Sequence, residues 1–247
     1  MNLIILTDTD RSDGDRYRLE DHRAEHIRAV LKLGAGDRFE VGLLDGPVGK
    51  ARIVGDDGTN IEVEVLGLTE RAPDPVEIHL VCALPRPQTV KKVLATIATM
   101  GVKRCDFIRA NRVERSYYQS PLLAADNFRP YLIEGLAQGK RTRLPEVQVH
   151  ERFKPFFEDF LPKLEAGKKT ALRLLPDPAA EAELSQVFGG PKRVILAIGP
   201  EGGWVPFETE LMASLGFVRY RLSNSILRVE TAVTAALAQI ELLTMQR

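Results

Sequence analysis

Two passages in the last quarter of the chain, each an apolar run that stops at a turn before a helix, limit what this sequence can fold into. In the first, Val194-Ile195-Leu196-Ala197-Ile198 runs into Gly199-Pro200-Glu201-Gly202-Gly203, and a helix-like segment begins near Pro206. In the second, the strand-like stretch 217–222 leads through Ser223-Asn224-Ser225-Ile226-Leu227-Arg228 into Val229-Glu230-Thr231-Ala232. A buried strand ending in a glycine-rich turn and then a helix is how α/β proteins build ligand crevices at the carboxyl edge of a sheet. Two such passages, close in sequence, are expected to converge on one site.

The rest of the chain fits around that expectation. From Val76 onward, strand-like runs at 78–84, 105–110 and 171–175 alternate with helix-like runs at 89–100, 122–138 and 155–164. A last helix runs from 228 toward the C-terminus. This rhythm predicts a mostly parallel sheet with helices on both faces. The first seventy residues read differently, with short strands at 3–7, 39–44, 49–54 and 60–66 and a helix over 20–31. Asp45-Gly46-Pro47 and Asp56-Asp57-Gly58 are turn signals, and strands at this spacing suggest a small barrel. Arg71-Ala72-Pro73-Asp74-Pro75 reads as a linker, which sets domains at 1–72 and 76–247.

With 247 residues, 44% of them hydrophobic and 28% charged, the chain has ample material for a core. No apolar run is long enough to span a bilayer, and the N-terminus lacks the flanks of a signal peptide. Cys82 and Cys105 each lie in a strand-like run and read as buried, reduced thiols of a cytoplasmic protein. The 34 basic and 34 acidic residues cancel, but their distribution is uneven. Between Leu84 and Arg143 stand 12 Lys and Arg against four acids, a pattern suited either to a polyanion or to ordinary solvated helix faces. His22 and His26 lie one helical turn apart with no third ligand nearby, so no metal site is expected.

Each glycine of the first turn lets backbone approach a ligand, although glycine turns before helices are common in tight connections. Glu201 in its centre disfavours phosphate and suits amine or hydroxyl groups, or simply a place near a helix N-terminus. Arg112, Arg115, Tyr117 and Tyr118 interleave cations with aromatic rings, as an RNA surface does, although tyrosines packed into a core look the same.

Gly199-Pro200-Glu201-Gly202-Gly203-Trp204 with Glu208 resembles the GPEGGF-x-x-x-E signature of the RsmE family, which methylates N3 of a uridine in small-subunit ribosomal RNA. Residues 222–232 resemble that family's second signature, LGPRILRTETA. Shorter likenesses are His26-Ile27-Arg28-Ala29-Val30-Leu31-Lys32 with Gly36-Asp37, then Glu114-Arg115-Ser116, and Gln138-Gly139-Lys140-Arg141-Thr142-Arg143-Leu144-Pro145. The departures are the 95–101 helix, which lacks the family's lysine and glutamate, Arg86 for a lysine, and Ser223, Ser225 and Val229 for Gly, Arg and Thr.

The resemblance implies a knotted, SPOUT-type α/β methyltransferase domain behind a small PUA-like β-barrel that contacts RNA. It also implies S-adenosyl-L-methionine as cofactor and a homodimer. By analogy the methyl donor lies among Leu174 and Leu175 with the loop after them, Ile198, Gly199, Glu201, Gly202 and Gly203, and Leu222, Ser223, Ser225, Ile226 and Leu227. Arg228 is the expected catalytic cation, with Glu230 either orienting it or serving as a first-turn acid. RNA contacts are expected from His26, Arg28, Lys32, Arg112, Arg115, Ser116, Gln138, Arg141 and Arg143. The alternatives are a SPOUT enzyme acting elsewhere, such as a ribose 2'-hydroxyl, and a catalytically silent RNA-binding protein of the same fold.

Overall fold

A computed structural model describes residues 2–246. The chain divides into two units, Met1–Pro73 with Ile133–Leu144 and Asp74–Leu132 with Pro145–Arg247.

In the first unit, strands β1 (Ile4–Leu6), β2 (Arg11–Asp13), β3 (Arg16–Leu19), β4 (Arg38–Leu43), β5 (Val48–Asp56) and β6 (Ile61–Thr69) form one sheet in the order β1-β4-β5-β6-β3-β2. Alternation along β6 buries Ile61, Val63 and Val65 and turns Glu62 and Glu64 outward. These residues join Ile4 and Leu6 from one side of the sheet and Tyr17 and Leu19 from the other in a single core, so the sheet curls around it. Helix α1 (His22–Glu25), continued by a π-helical stretch over His26–Leu31, adds Ala24 and Ile27. The hairpin β2–β3, which the sequence pattern did not announce, turns at Gly14 with φ +52°. Arg23 fixes the start of the unit, reaching Asp10 through two bonds of 2.6 and 2.7 Å and the Ile5 carbonyl at 2.6 Å.

Residues 133–144 return to this unit through Leu3 N–H to the Ala137 carbonyl at 3.0 Å and Asp45 N–H to the Thr142 carbonyl at 2.8 Å. Thr142 is buried and seats against Gly42, where a Cβ would lie 2.5 Å from its methyl group.

The second unit holds β7 (Glu77–Ala83), β8 (Arg104–Ile108), β9 (Glu146–His150), β10 (Leu172–Pro176), β11 (Arg193–Ile198) and β12 (Phe217–Tyr220). Their order is β12-β10-β11-β7-β8-β9, with every pairing parallel. Its helices are α2 (Pro87–Thr99), the first half of α3 (Ala125–Gly139, which runs on into the segment 133–144 of the first unit), α4 (Phe153–Pro155), α5 (Leu161–Glu165), α6 (Leu184–Val187), α7 (Pro206–Ser214) and α8 (Val229–Met245). Alternate β residues such as Val81, Ile108, Ile195 and Ala197 pack against Phe156, Phe157, Leu161 and Met212. α2 buries Val90, Val93, Leu94 and Ile97 and packs against α8. Both cysteines are free and fully buried, as expected.

Strand β9, also unannounced, completes a charged cluster spanning three strands. Asp106 is 0% exposed, and its carboxylate meets His79 Nε2 at 2.6 Å, His150 Nε2 at 2.7 Å and Arg104 at 2.6 and 2.8 Å. Burial pushes the Asp106 pKa up, but hydrogen bonds from His150, His79 and Arg104 outweigh it and hold the carboxyl well below its usual range. Arg104 also reaches Glu146 at 2.8 Å and Gln148 at 2.7 Å, so much of its charge is spent inside the sheet.

Candidate functional site

In a parallel sheet all carboxyl ends lie along one edge. β10 pairs with both β11 and β12, matching Leu174 to Leu196 and to Val218, so the loops after these three strands emerge side by side. These are the three loops expected to hold the methyl donor. Their convergence follows from strand order rather than from chain proximity.

The turn after β11 is shaped by its glycines. Gly203 has φ +73°, and its N–H closes on the Pro200 carbonyl at 2.8 Å. A Cβ on Gly202 would stand 3.1 Å from Cδ of Arg112, and one on Gly199 would stand 3.1 Å from Nε1 of Trp204. Pro206 at the first position of α7 and Glu208 at the third then start the helix. Glu208, 2% exposed, accepts the Val205 N–H at 3.0 Å and the Asn111 N–H at 2.6 Å. It therefore ties the loop after β8 to the helix that follows the glycine turn. Arg112, in that same loop, donates to the Gly202 carbonyl. Arg112, expected on an RNA surface, is exposed and also holds the glycine turn.

The loop after β12 turns at Ser223, whose Oγ accepts the Ser225 N–H at 3.1 Å, and the Leu222 carbonyl accepts from Gln239 of α8 at 3.0 Å. The loop after β10 is stapled to β12: Asp177 N–H bonds the Tyr220 carbonyl at 2.9 Å, and Arg219 reaches the Asp177 carboxylate at 2.6 Å. Arg221 N–H meets the Ala182 carbonyl at 2.7 Å.

Of the expected donor-site residues, Leu174 and Leu175 are 0% exposed and Ile198 is buried, so their side chains build the floor and only the loops beyond them face outward. Glu201, Gly202, Gly203 and Ser225 are exposed, and Leu222, Ser223 and Leu227 are half-buried. Ile226 is 90% exposed, an apolar side chain held in water at the edge of the loop. Among the described residues, the N–H groups of Glu201, Gly202, Asn224, Ile226 and Leu227 have no hydrogen-bond acceptor, and the buried Trp204 Nε1 has none either. Open backbone donors, a glycine-rich turn carrying the exposed Glu201 and an exposed apolar side chain fit a ligand with a purine ring and hydroxyl groups. A separate hollow of about 370 Å³ opens beside Leu222, Ser223 and α8 and does not reach the glycine turn.

Arg228 is the exposed N-cap residue of α8. Glu230 in the first turn is held below the usual carboxylate range, first by its own backbone N–H and further by Lys92 and Arg228. Lys92 of α2 meets it at 3.1 Å, a partner the sequence did not suggest. The remaining expected RNA residues are scattered. Arg28 is spent on Asp56 at 2.8 to 3.0 Å, His26 is half-buried, and Lys32 is exposed in a left-handed conformation. Arg115, Ser116, Gln138 and Arg143 are exposed and Arg141 is half-buried. Tyr117 accepts from Arg86 at 3.2 Å, and Tyr118, half-buried, donates to the His150 carbonyl at 3.4 Å.

A curled sheet unit joined to a parallel-sheet unit with three loops gathered at one edge is the architecture of an RNA methyltransferase of the SPOUT fold. The family model described as RNA methyltransferase domain matches residues 72–241, and that described as RNA methyltransferase PUA domain matches residues 19–66. The ribosomal RNA small subunit methyltransferase E of Treponema pallidum is 32% identical over 246 residues, covering 97% of this chain and 90% of that protein. Ribosomal RNA small subunit methyltransferase E 1 of Borreliella burgdorferi is 26% identical, covering 96% and 95%. The crystal structure of ribosomal RNA small subunit methyltransferase E from Neisseria gonorrhoeae, bound to S-adenosyl methionine, has the same fold, with a TM-score of 0.76 at 21% identity over 98% of both chains. The chain belongs to the ribosomal RNA small subunit methyltransferase E family, the RsmE family of the sequence resemblance.

Proposed function

We propose that this protein transfers a methyl group from S-adenosyl-L-methionine to N3 of a uridine in small-subunit ribosomal RNA, as a homodimer in the cytoplasm. The observation that carries the reading is the convergence of three loops at the carboxyl ends of β10, β11 and β12, with Arg228 exposed where the third loop enters α8. Membership of the family and the whole-length match to its relatives support the substrate class.

When bound, the donor supplies an electrophilic methyl group on a sulfonium. The protein's own contribution is position and charge. Open N–H groups at Glu201, Gly202, Ile226 and Leu227 would donate to the purine and sugar of the methyl donor, and the exposed Ile226 side chain would supply an apolar surface for the ring. Uridine N3 becomes nucleophilic as its proton leaves, and the negative charge then spreads over the two flanking carbonyl oxygens. In this reading the exposed Arg228 supplies the fixed cation that offsets that charge. No side chain is assigned as base, so the proton goes to water. Glu230, engaged with Lys92, holds the first turn of α8 against α2 and thereby places Arg228; it acts through another residue.

Arg228→Ala is expected to abolish methyl transfer while leaving donor affinity by calorimetry within a few fold. Mapping of modified nucleosides in cells lacking the gene tests the target position. Methylation of a ribose hydroxyl instead of N3 sinks the proposal, and loss of folding in the variant makes Arg228 structural.

A further inference from the structure

The first unit contains a hollow of about 570 Å³. Four cations stand around it, Arg38, Lys50, Arg71 and Lys140, against the single carboxylate of Glu40. Two of the cations are braced. Lys140 Nζ pairs with Glu40 at 2.5 Å, and Arg71 donates to the Lys140 carbonyl at 2.5 Å. Among the described residues, Arg38 and Lys50 make no ion pair or side-chain hydrogen bond; Lys50 stands across the β4–β5 ladder from Glu40, which Lys140 already holds, and Arg38 stands across from Arg52.

The floor is built rather than accidental. The β5–β6 ladder pairs Lys50 with Gly67 and Ala51 with Val65, which leaves Leu66 as the extra residue of a bulge. Leu66 follows Glu62 and Glu64 to the outer face of β6 and is 42% exposed at the hollow. Beside it, Gly49 and Gly67 bring bare backbone together; a Cβ on Gly49 would lie 2.0 Å from the Gly67 carbonyl oxygen. Cations at the rim with an apolar, side-chain-poor floor match a short unpaired strand, two successive phosphates at the rim beside Arg38 and Lys50 and one base face on Leu66. An acidic peptide would use the rim and leave the floor without a purpose.

We infer that this hollow, and not the helical face carrying His26, Arg28 and Lys32, is where the first unit grips single-stranded RNA. The helical face has its best cation neutralised by Asp56, with Asp57 adjacent. The inference rests on the ribosomal RNA methyltransferase reading and adds to it a binding site remote in sequence from the methyl-donor loops.

The test uses the full chain and a fluorescent ten-nucleotide single-stranded RNA, titrated by anisotropy at several salt concentrations. The double variant Arg38→Ala with Lys50→Ala is expected to bind about ten-fold more weakly. Its log affinity should fall less steeply with log salt, by about 1.4, since two single-strand phosphate contacts are lost at about 0.7 each. Leu66→Ser should weaken binding several-fold with the salt slope unchanged. Arg28→Ala with Lys32→Ala should stay within two-fold. Donor binding by calorimetry and the melting temperature should not move in any of them. Wild-type affinity and slope in the Arg38 and Lys50 variant, with wild-type protein still binding RNA, overturn the pocket alone. Failure of wild-type protein both to bind RNA and to transfer methyl overturns the functional reading with it. Displacement of the RNA by equimolar poly-glutamate assigns the hollow to an acidic protein and overturns the proposal.

Discussion

Replacing Glu208 by Gln should separate the two jobs done by the last acid of the first signature. The carboxylate is buried, one oxygen accepting Asn111 N–H at 2.6 Å and the other Val205 N–H at 3.0 Å. Glutamine keeps the shape but offers one oxygen and one amide nitrogen, so one of the two N–H groups faces a donor. An orphaned buried donor costs about 1–3 kcal/mol, and the surviving bond loses its charge for about 1 kcal/mol more. A total near 3 kcal/mol in a chain of this size corresponds to a fall in melting temperature of about 6–12 °C. Scanning calorimetry of wild type and variant measures the shift, and near-ultraviolet circular dichroism reports Trp204, which lies between the glycine turn and α7. Donor affinity should fall as well, because the loop after β8 and the start of α7 lose their common anchor. A shift below 2 °C would falsify the idea that this carboxylate is the tie between the two loops.

Gly202→Val should lower donor affinity at least ten-fold by calorimetry, since its methyl groups would project from the turn that the donor must approach and its Cβ would press on the Arg112 side chain at 3.1 Å; unchanged affinity would remove that turn from the donor site. Asp106 carries a depressed pKa, so its contribution to stability is complete above the unfolded value near 3.8 and is lost as pH falls through the lower folded value. Asp106→Asn should therefore cost about 3–5 kcal/mol in urea unfolding at pH 7, with the gap between variant and wild type narrowing in acid; a pH-independent gap would contradict the ionised assignment. Arg23→Lys removes the two-pronged bond to Asp10 and should destabilise the first unit by about 2 kcal/mol, read as faster amide exchange at Ile5 and Leu6.

The candidate donor loops were legible as local features because each is built from contiguous residues. The glycine turn at 199–203 and the loop at 222–227 are each local, and the positive φ at Gly203 is a local need, whereas the close approach at Gly202 is to Arg112, 90 positions away. The surroundings of the cations were less legible, because they depend on what faces each one in the fold. Arg28 faces Asp56, Arg112 faces the Gly202 carbonyl, and Arg104 is drawn into the Asp106 cluster. No spacing along the chain discloses those partners.

By itself the sequence determined the alternation of strands and helices after Val76, the β-rich start, the two turns and the family. Those depend on hydrophobic period and on backbone preferences of glycine and proline, which act over a few residues. Only the tertiary structure decided which strands lie together and hence which charges meet. It set β10 between β11 and β12, brought His79, Asp106 and His150 to one point, returned residues 133–144 to the first unit, and paired Glu230 with Lys92. Parallel neighbours are separated by long crossovers, so contacts between them join residues dozens of positions apart, and only the packing of the whole sheet selects them.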